Sequence, residues 1–291
     1  MVHPDIMTYR APYDKLNFVV SGCPRSTPSP GGTLVGLQHA LDLGCDGMEI
    51  EWVYQVAIKD DTADRVREIR DSTNCALTAH GPYYINLNSR DDSKLQASID
   101  RILKTARMGA RCGCTSFTFH AAFIMGDDRR TVHRRVLDTL RDIQKTINAE
   151  KLPIKMRPEL TGRDSAWGSL EELLEMSREI PAIEPCIDWA HLYARTLGRF
   201  NNRDEFRAVV RDYISVLGDE SLNDMHMHVT GIAYTPKGEK HHEELRQSRF
   251  NYKDLLRTFR EFDMKGVCVA ETPALEEDTL LLKRSYRQLK P

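Results

Sequence analysis

The sequence predicts a single (β/α)8 TIM barrel, and three observations lead there. Short apolar or β-branched runs alternate with longer amphipathic segments along the whole chain; the runs number eight; and no glycine-rich G-x-G-x-x-G turn follows the first, as a doubly wound open sheet would favour. A length of 291 residues suits one barrel domain. Residues 1–16 read as an N-terminal extension and 17–291 as the barrel.

The eight runs are NFVVS (17–21), GMEIEWV (47–53), ALTAH (76–80), SFTFH (116–120), IKMRPEL (154–160), AIEPCIDW (182–189), MHMHV (225–229) and GVCVAE (266–271). Each is short and rich in residues that fit a pleated surface. Between them, Leu95, Ile99, Ile102, Leu103 and Ala106 form one helical stripe, and Val132, Val136, Leu140, Ile143 and Ile147 another. Ser169 and Glu172 in SLEE have the spacing of a capping box, which starts a third helix.

Composition narrows the function classes. Apolar residues, 41% of the chain, supply a sizeable core, and no run of about 18 uninterrupted apolar residues suggests a membrane span. Asp5, Arg10 and Asp14 fall where a secretory leader needs an apolar run, so a cytoplasmic location is expected. Seven cysteines, odd in number and scattered, do not resemble the framework of a small secreted domain, and the C-x-C pair Cys112 and Cys114 reads as packing. A net charge of -2 from 41 basic and 43 acidic residues argues against a strongly basic nucleic-acid module while leaving room for a local basic rim.

The stretch HMHVTGIAYTPKGEKHH (226–242) holds four of the ten histidines, together with Glu239. His226 and His228 stand two apart on a strand and therefore share a face. The pattern extends beyond this stretch: His80, His120, Glu159, Asp188 with His191, the pair His226 and His228, and Glu271 all end or follow expected strands, which is the catalytic face of a barrel. Imidazoles and carboxylates converging there would repel, titrate or go unsatisfied without a cation. Nitrogen and oxygen donors without cysteine suit Zn2+, with Mn2+ or Fe2+ as alternatives. The donors exceed what one tetrahedral ion uses, so two or three ions are expected.

Six ordered blocks carry a resemblance over about residues 17–285: AHGPYYINL (79–87), FHAAFIMG (119–126), PELTGR with WGSLEE (158–172), CIDWAHLYA (186–194), HVTGIAYTPKGEKHHEEL (228–245) and AETP (270–273). They resemble endonuclease IV and its archaeal-type relatives, within the xylose-isomerase-like barrel superfamily. The resemblance implies a three-metal centre in which His80 and His120 serve one ion and Glu159 bridges to a second. Asp188, His228 and Glu271 complete the second, and His191, Glu239 and His242 hold the third. His226 is the alternative to His228, and His241 to His242. The implied activity is incision of duplex DNA at abasic sites by a monomer with no membrane partner, with Glu159 catalytic and Tyr83, beside Tyr84, contacting the substrate. Arg25, Arg90, Arg129, Arg130, Arg163, Arg195, Arg199, Lys237 and Lys240 follow strand ends and are expected phosphate contacts. Glu239 stands where the family has Asp, HVTG where it has an Asn-Asp pair, and EWVYQVAIKDD lacks its arginine wedge. The alternative on the same barrel is a metal-dependent sugar or sugar-phosphate isomerase or epimerase, with Glu159 and Glu271 as its acid and base.

Overall fold

A computed structural model describes residues 13–289. Eight parallel strands make the central sheet: β1 Leu16–Ser21, β2 Gly47–Glu51, β3 Ala76–His80, β4 Ser116–Phe119, β5 Lys155–Pro158, β6 Cys186–Asp188, β7 Met225–Val229 and β8 Gly266–Ala270. Their lateral order is β5-β4-β3-β2-β1-β8-β7-β6. A parallel bridge between Glu159 and Cys186 spans the remaining gap, so the sheet curls round into a nearly closed (β/α)8 barrel. Of the extension expected over 1–16, residues 1–12 lie outside the described residues, and Leu16 already belongs to β1.

Strand alternation divides the side chains into two sets. Phe18, Val20, Met48, Ile50, Leu77, Phe117, Phe119, Met156, Ile187 and Met227 join the main apolar core with the surrounding helices. On the other face of the strands or at their ends, Glu49, Thr78, His80, Ser116, Arg157, Glu159, Asp188, His226 and His228 are buried polar groups that meet across the barrel interior. Gly47 permits the close approach of β2 to β3, because a Cβ there would lie 1.7 Å from Ala76 O.

The expected helical stripes fall on Asp92–Cys112 and Arg129–Ala149, and Ser169 with Glu172 forms the capping box of Leu170–Glu179. The run expected as a strand over 182–189 is strand only at Cys186–Asp188. Pro185 lacks the amide that an earlier ladder bond would need. Asp188 ends the strand because its Oδ1 accepts from His191 N at 2.6 Å and caps the helix Trp189–Arg195. After β7 a hairpin pairs Gly231–Thr235 with Gly238–Glu243. At the opposite end of the barrel, Tyr13 packs on Val19, Ala76, Val267 and Val269, and its hydroxyl accepts from Leu77 N at 3.2 Å.

Candidate metal centre

The nine donor residues singled out from the sequence face one cluster at the C-terminal ends of the strands, in three groups whose candidate ligand atoms lie within 4.8 Å of one another. His80, His120 and Glu159 form the first; Glu159, Asp188, His228 and Glu271 the second; His191, Glu239 and His242 the third. Glu159 joins them: its Oε2 lies 3.0 Å from His80 Nε2 and 3.3 Å from His120 Nε2, and its Oε1 3.2 Å from His191 Nδ1 and 3.4 Å from His228 Nδ1.

Local geometry explains why these side chains converge. Asp188 and His191 are the cap and third residue of one helix, which puts both at the mouth. In the hairpin the register shifts between Ala233 and Tyr234, whose partners are His241 and Glu239, so Lys240 is an extra residue. Without that bulge Glu239 and His242, three apart, would point to opposite faces; with it they share one. Gly162 lies under this pair, where a Cβ would come within 2.7 Å of Glu239 and 3.0 Å of His191 Cδ2.

The donors fit a cation on the chemistry of their hydrogen bonds. His80 Nδ1 lies 2.7 Å from Gly81 O, His191 Nδ1 2.9 Å from Leu160 O and His242 Nδ1 2.8 Å from Glu271 O. A backbone carbonyl only accepts, so Nδ1 carries the proton in each ring, and in the neutral form Nε2 presents a lone pair to the centre. Two such lone pairs, from His191 and His242, face each other at 3.3 Å with Glu239 Oε2 3.6 Å from His191 Nε2. In the second group Glu159 Oε1, Asp188 Oδ2 and His228 Nδ1 are buried without a hydrogen-bond partner. Without a proton or a metal ion between them, these atoms repel.

Electrostatics follow the same pattern. Burial opposes a charge on His80, yet Glu51, Glu159 and Glu271 carry it up to about 10. Burial likewise opposes His191 and His228, and neighbouring anionic groups, Asp188 and Glu159 for the one and Glu271, Glu49 and Glu159 for the other, hold both well above the ordinary range. Against its burial, the imidazoles of His120 and His228 keep Glu159 well below the usual carboxylate range. Burial pushes Asp188 up to about 6, and His228 outweighs burial to bring Glu271 down to about 2.

The expected alternatives sort by position. His241 is 53% exposed and turns to Glu243, while His242 faces the centre. His226 lies one layer below His228, its Nε2 2.8 Å from Glu49 Oε2 and its Nδ1 2.9 Å from Ser116 Oγ. Tyr83, 54% exposed, sets its ring edge-on to His80 at 5.8 Å between centroids. Arg195 is only 7% exposed and donates to Thr161 O, Arg163 O and Ala166 O, so it braces a loop instead of reaching a phosphate. Arg129 is tied to Glu172 and Asp164, and Arg90 to Asp127.

Glu49 and Glu51, on the β2 stretch MEIE, were not singled out. Glu49 Oε1 lies 3.0 Å from His228 Nε2, and burial pushes Glu51 up to about 8. Acids at alternate positions of an otherwise apolar strand were the available signal. A further group, His133 with Glu175 and Glu179, does not suit a metal ion. Trp167 Nε1 donates to His133 Nδ1 at 3.0 Å, so in the neutral ring Nε2 bears the proton and has no lone pair to offer.

A model of the xylose isomerase-like TIM barrel family matches residues 37–290. The chain is 35% identical over 255 residues to an uncharacterized protein of Methanocaldococcus jannaschii, covering 88% of this chain and 91% of that one. It is 19% identical to a probable endonuclease 4 of Aquifex aeolicus, covering 73% and 78%. Among solved structures, endonuclease IV from Thermus thermophilus matches with a TM-score of 0.69 at 18% identity over 94% of this chain and 97% of that one. A D-tagatose 3-epimerase-like protein matches equally, with a TM-score of 0.69 at 16% identity over 93% and 96%. At such identity the likeness is one of fold, and it is shared by nuclease and epimerase.

Proposed function

The chain belongs to the xylose isomerase-like TIM barrel family, and within it we propose a metal-dependent phosphodiesterase that incises duplex DNA at abasic sites. One observation carries this reading: the third donor group, in which the His191 and His242 lone pairs meet beside Glu239. Polarising a sugar carbonyl takes one or two ions, which the groups around Glu159 would hold. A third group suits an in-line displacement, where attacking, leaving and nonbridging oxygens all carry charge.

His80, His120 and Glu159 would hold the first ion, with Glu159, Asp188, His228 and Glu271 around the second and His191, Glu239 and His242 around the third. Bound there, zinc would lower the pKa of a water, orient it and neutralise phosphoryl charge. Glu159 faces both halves of the centre, so it ties them together and stands where a proton from the attacking water can be accepted. Tyr83 offers an exposed ring beside His80 to a sugar extruded from the duplex, a step made easier by the missing base. Arg130, Arg199, Lys237 and Lys240 are exposed after strand ends and are the cations for phosphate contact.

A sugar isomerase or epimerase is the second reading. Glu49 favours it, because its carboxylate, held ionised by His228 and His226 against its burial, adds negative charge beneath a centre where the nuclease must receive phosphate. The test is incision of an abasic-site duplex by purified protein at low salt, with and without a chelator. Cutting should require metal and weaken as ionic strength rises, through counterion release. Uncut duplex with metal-replete protein, together with interconversion of a ketose and its epimer or aldose, would replace the nuclease reading with the isomerase one.

A further inference from the structure

The rings of His80, His191 and His242 are each anchored by a backbone carbonyl, which no side-chain substitution removes. His228 is different. Its Nε2 stands 3.0 Å from Glu49 Oε1, from a strand on the other side of the barrel. Both atoms are buried and neither has a hydrogen bond of full geometry, so the contact is a close charge pairing; the Cys186 thiol also lies against this histidine.

Glu49 is itself held by two side chains, one of which is held in turn by a third. Thr78 Oγ1 on β3 donates to its Oε2 at 2.7 Å, His226 Nε2 on β7 lies 2.8 Å from the same oxygen, and Ser116 Oγ on β4 is 2.9 Å from His226 Nδ1. Glu49, Thr78, His226 and His228 are all fully buried. This network occupies Oε2 and leaves Oε1 aimed at His228. The His228 nitrogen facing an ionised carboxylate carries a proton, so Nε2 is the N–H and Nδ1 the lone pair. Nδ1 lies 3.4 Å from both Glu159 Oε1 and Glu271 Oε2, in the second donor group.

We propose that Glu49 is the positioning residue of that group: it fixes His228 as the Nε2–H tautomer and presents Nδ1 to the ion, while His226 supports Glu49 and is not a ligand. The inference rests on the metal-centre reading above and assigns a role to the β2 carboxylate that this reading leaves unused. It also explains a buried histidine pair of which one member faces the centre. Carboxylate support of a ligating imidazole raises its basicity as well as setting its direction, so its loss weakens the ion held.

Zinc is the probe, and the full-length chain is used throughout. Stripped wild type and Glu49→Gln are titrated with zinc against a chromophoric chelator. Gln keeps the shape and loses the charge, so one ion should weaken by about 10–100-fold while the others stay within a factor of about three. Long-range 1H–15N correlation on zinc-loaded wild type should show one imidazole bound through Nδ1 and protonated at Nε2, a signal missing in His228→Gln and altered in Glu49→Gln. Thr78→Val, which removes one support of Glu49 and no ligand, should weaken the same ion by less and serves if Glu49→Gln does not fold. Unchanged zinc binding in Glu49→Gln, or a His228 bound through Nε2, overturns this inference alone. A wild type that takes up no zinc overturns the metal-centre reading, and the inference falls with it.

Discussion

The barrel interior carries charge at both ends, and the two ends handle it differently. At the foot, Arg157 is 1% exposed, with Nη1 2.8 Å from Glu184 Oε2 and Nη2 2.9 Å from Asp224 Oδ2, and Lys155 Nζ lies 2.8 Å from the same Asp224 oxygen. Among the described residues, two cations meet two anions there, so opposite charges face each other. At the mouth, histidines and carboxylates gather with imidazole lone pairs and carboxylate oxygens facing one another. A buried cluster that neutralises itself holds strands together; one whose donor atoms converge without donors between them suits a cation.

Four predictions test this contrast, the largest effect first. Glu159→Gln should lower abasic-site incision by about 10²–10⁴-fold, since an amide bridges cations poorly and takes no proton; circular dichroism should show the fold retained. Incision at the wild-type rate would break the assignment of the mouth. Arg157→Met should cost about 3–5 kcal/mol by leaving the buried Asp224 and the partly buried Glu184 with less positive charge, read by urea denaturation. Zinc content at low denaturant should not change, and a variant that loses zinc in parallel with stability would show the two ends to be one system.

His242→Ala should remove one ion by elemental analysis and leave the others. His241→Ala should change neither metal content nor stability beyond about 0.5 kcal/mol, as for other exposed sites. Loss of an ion in the second variant instead would mean that the hairpin presents its other face.

The smallest effect concerns protons. His80 is carried up to about 10, and neighbouring anions raise His191 and His228 in the same direction, so at neutral pH the metal-stripped chain holds a proton on His80 at least. Zinc needs their lone pairs, so binding should release protons, and affinity should fall as pH is lowered. The sign for stability is opposite: a raised imidazole pKa stabilises the stripped fold fully below about 6.5, and that contribution is lost as pH rises through about 10. A pH-indicator dye during zinc titration reads the release, and a titration with none would contradict the protonated cluster.

Much of this was legible along the chain because it is local. Eight short runs alternating with longer amphipathic segments mark a parallel barrel, and a donor at the end of a strand in such a barrel lies at its mouth whatever the details of packing. Hence His80, His120, Glu159, Asp188 with His191, and Glu271 could be picked from strand ends. Other features depend on contacts between distant segments. His242 faces the centre and His241 does not because of one bulge, and a single inserted residue exchanges the faces of a strand. His226 and His228 point the same way, so only the cross-barrel carboxylate of Glu49 distinguishes their layers. Arg195 follows a strand like its neighbours in sequence, yet three backbone carbonyls hold it inward. The sequence by itself determined the barrel and the stock of donors at its mouth, because strand period and helix capping are properties of neighbouring residues. Tertiary structure decided which nitrogen of each ring is free and which histidine faces inward, because those depend on hydrogen-bond partners brought from other strands.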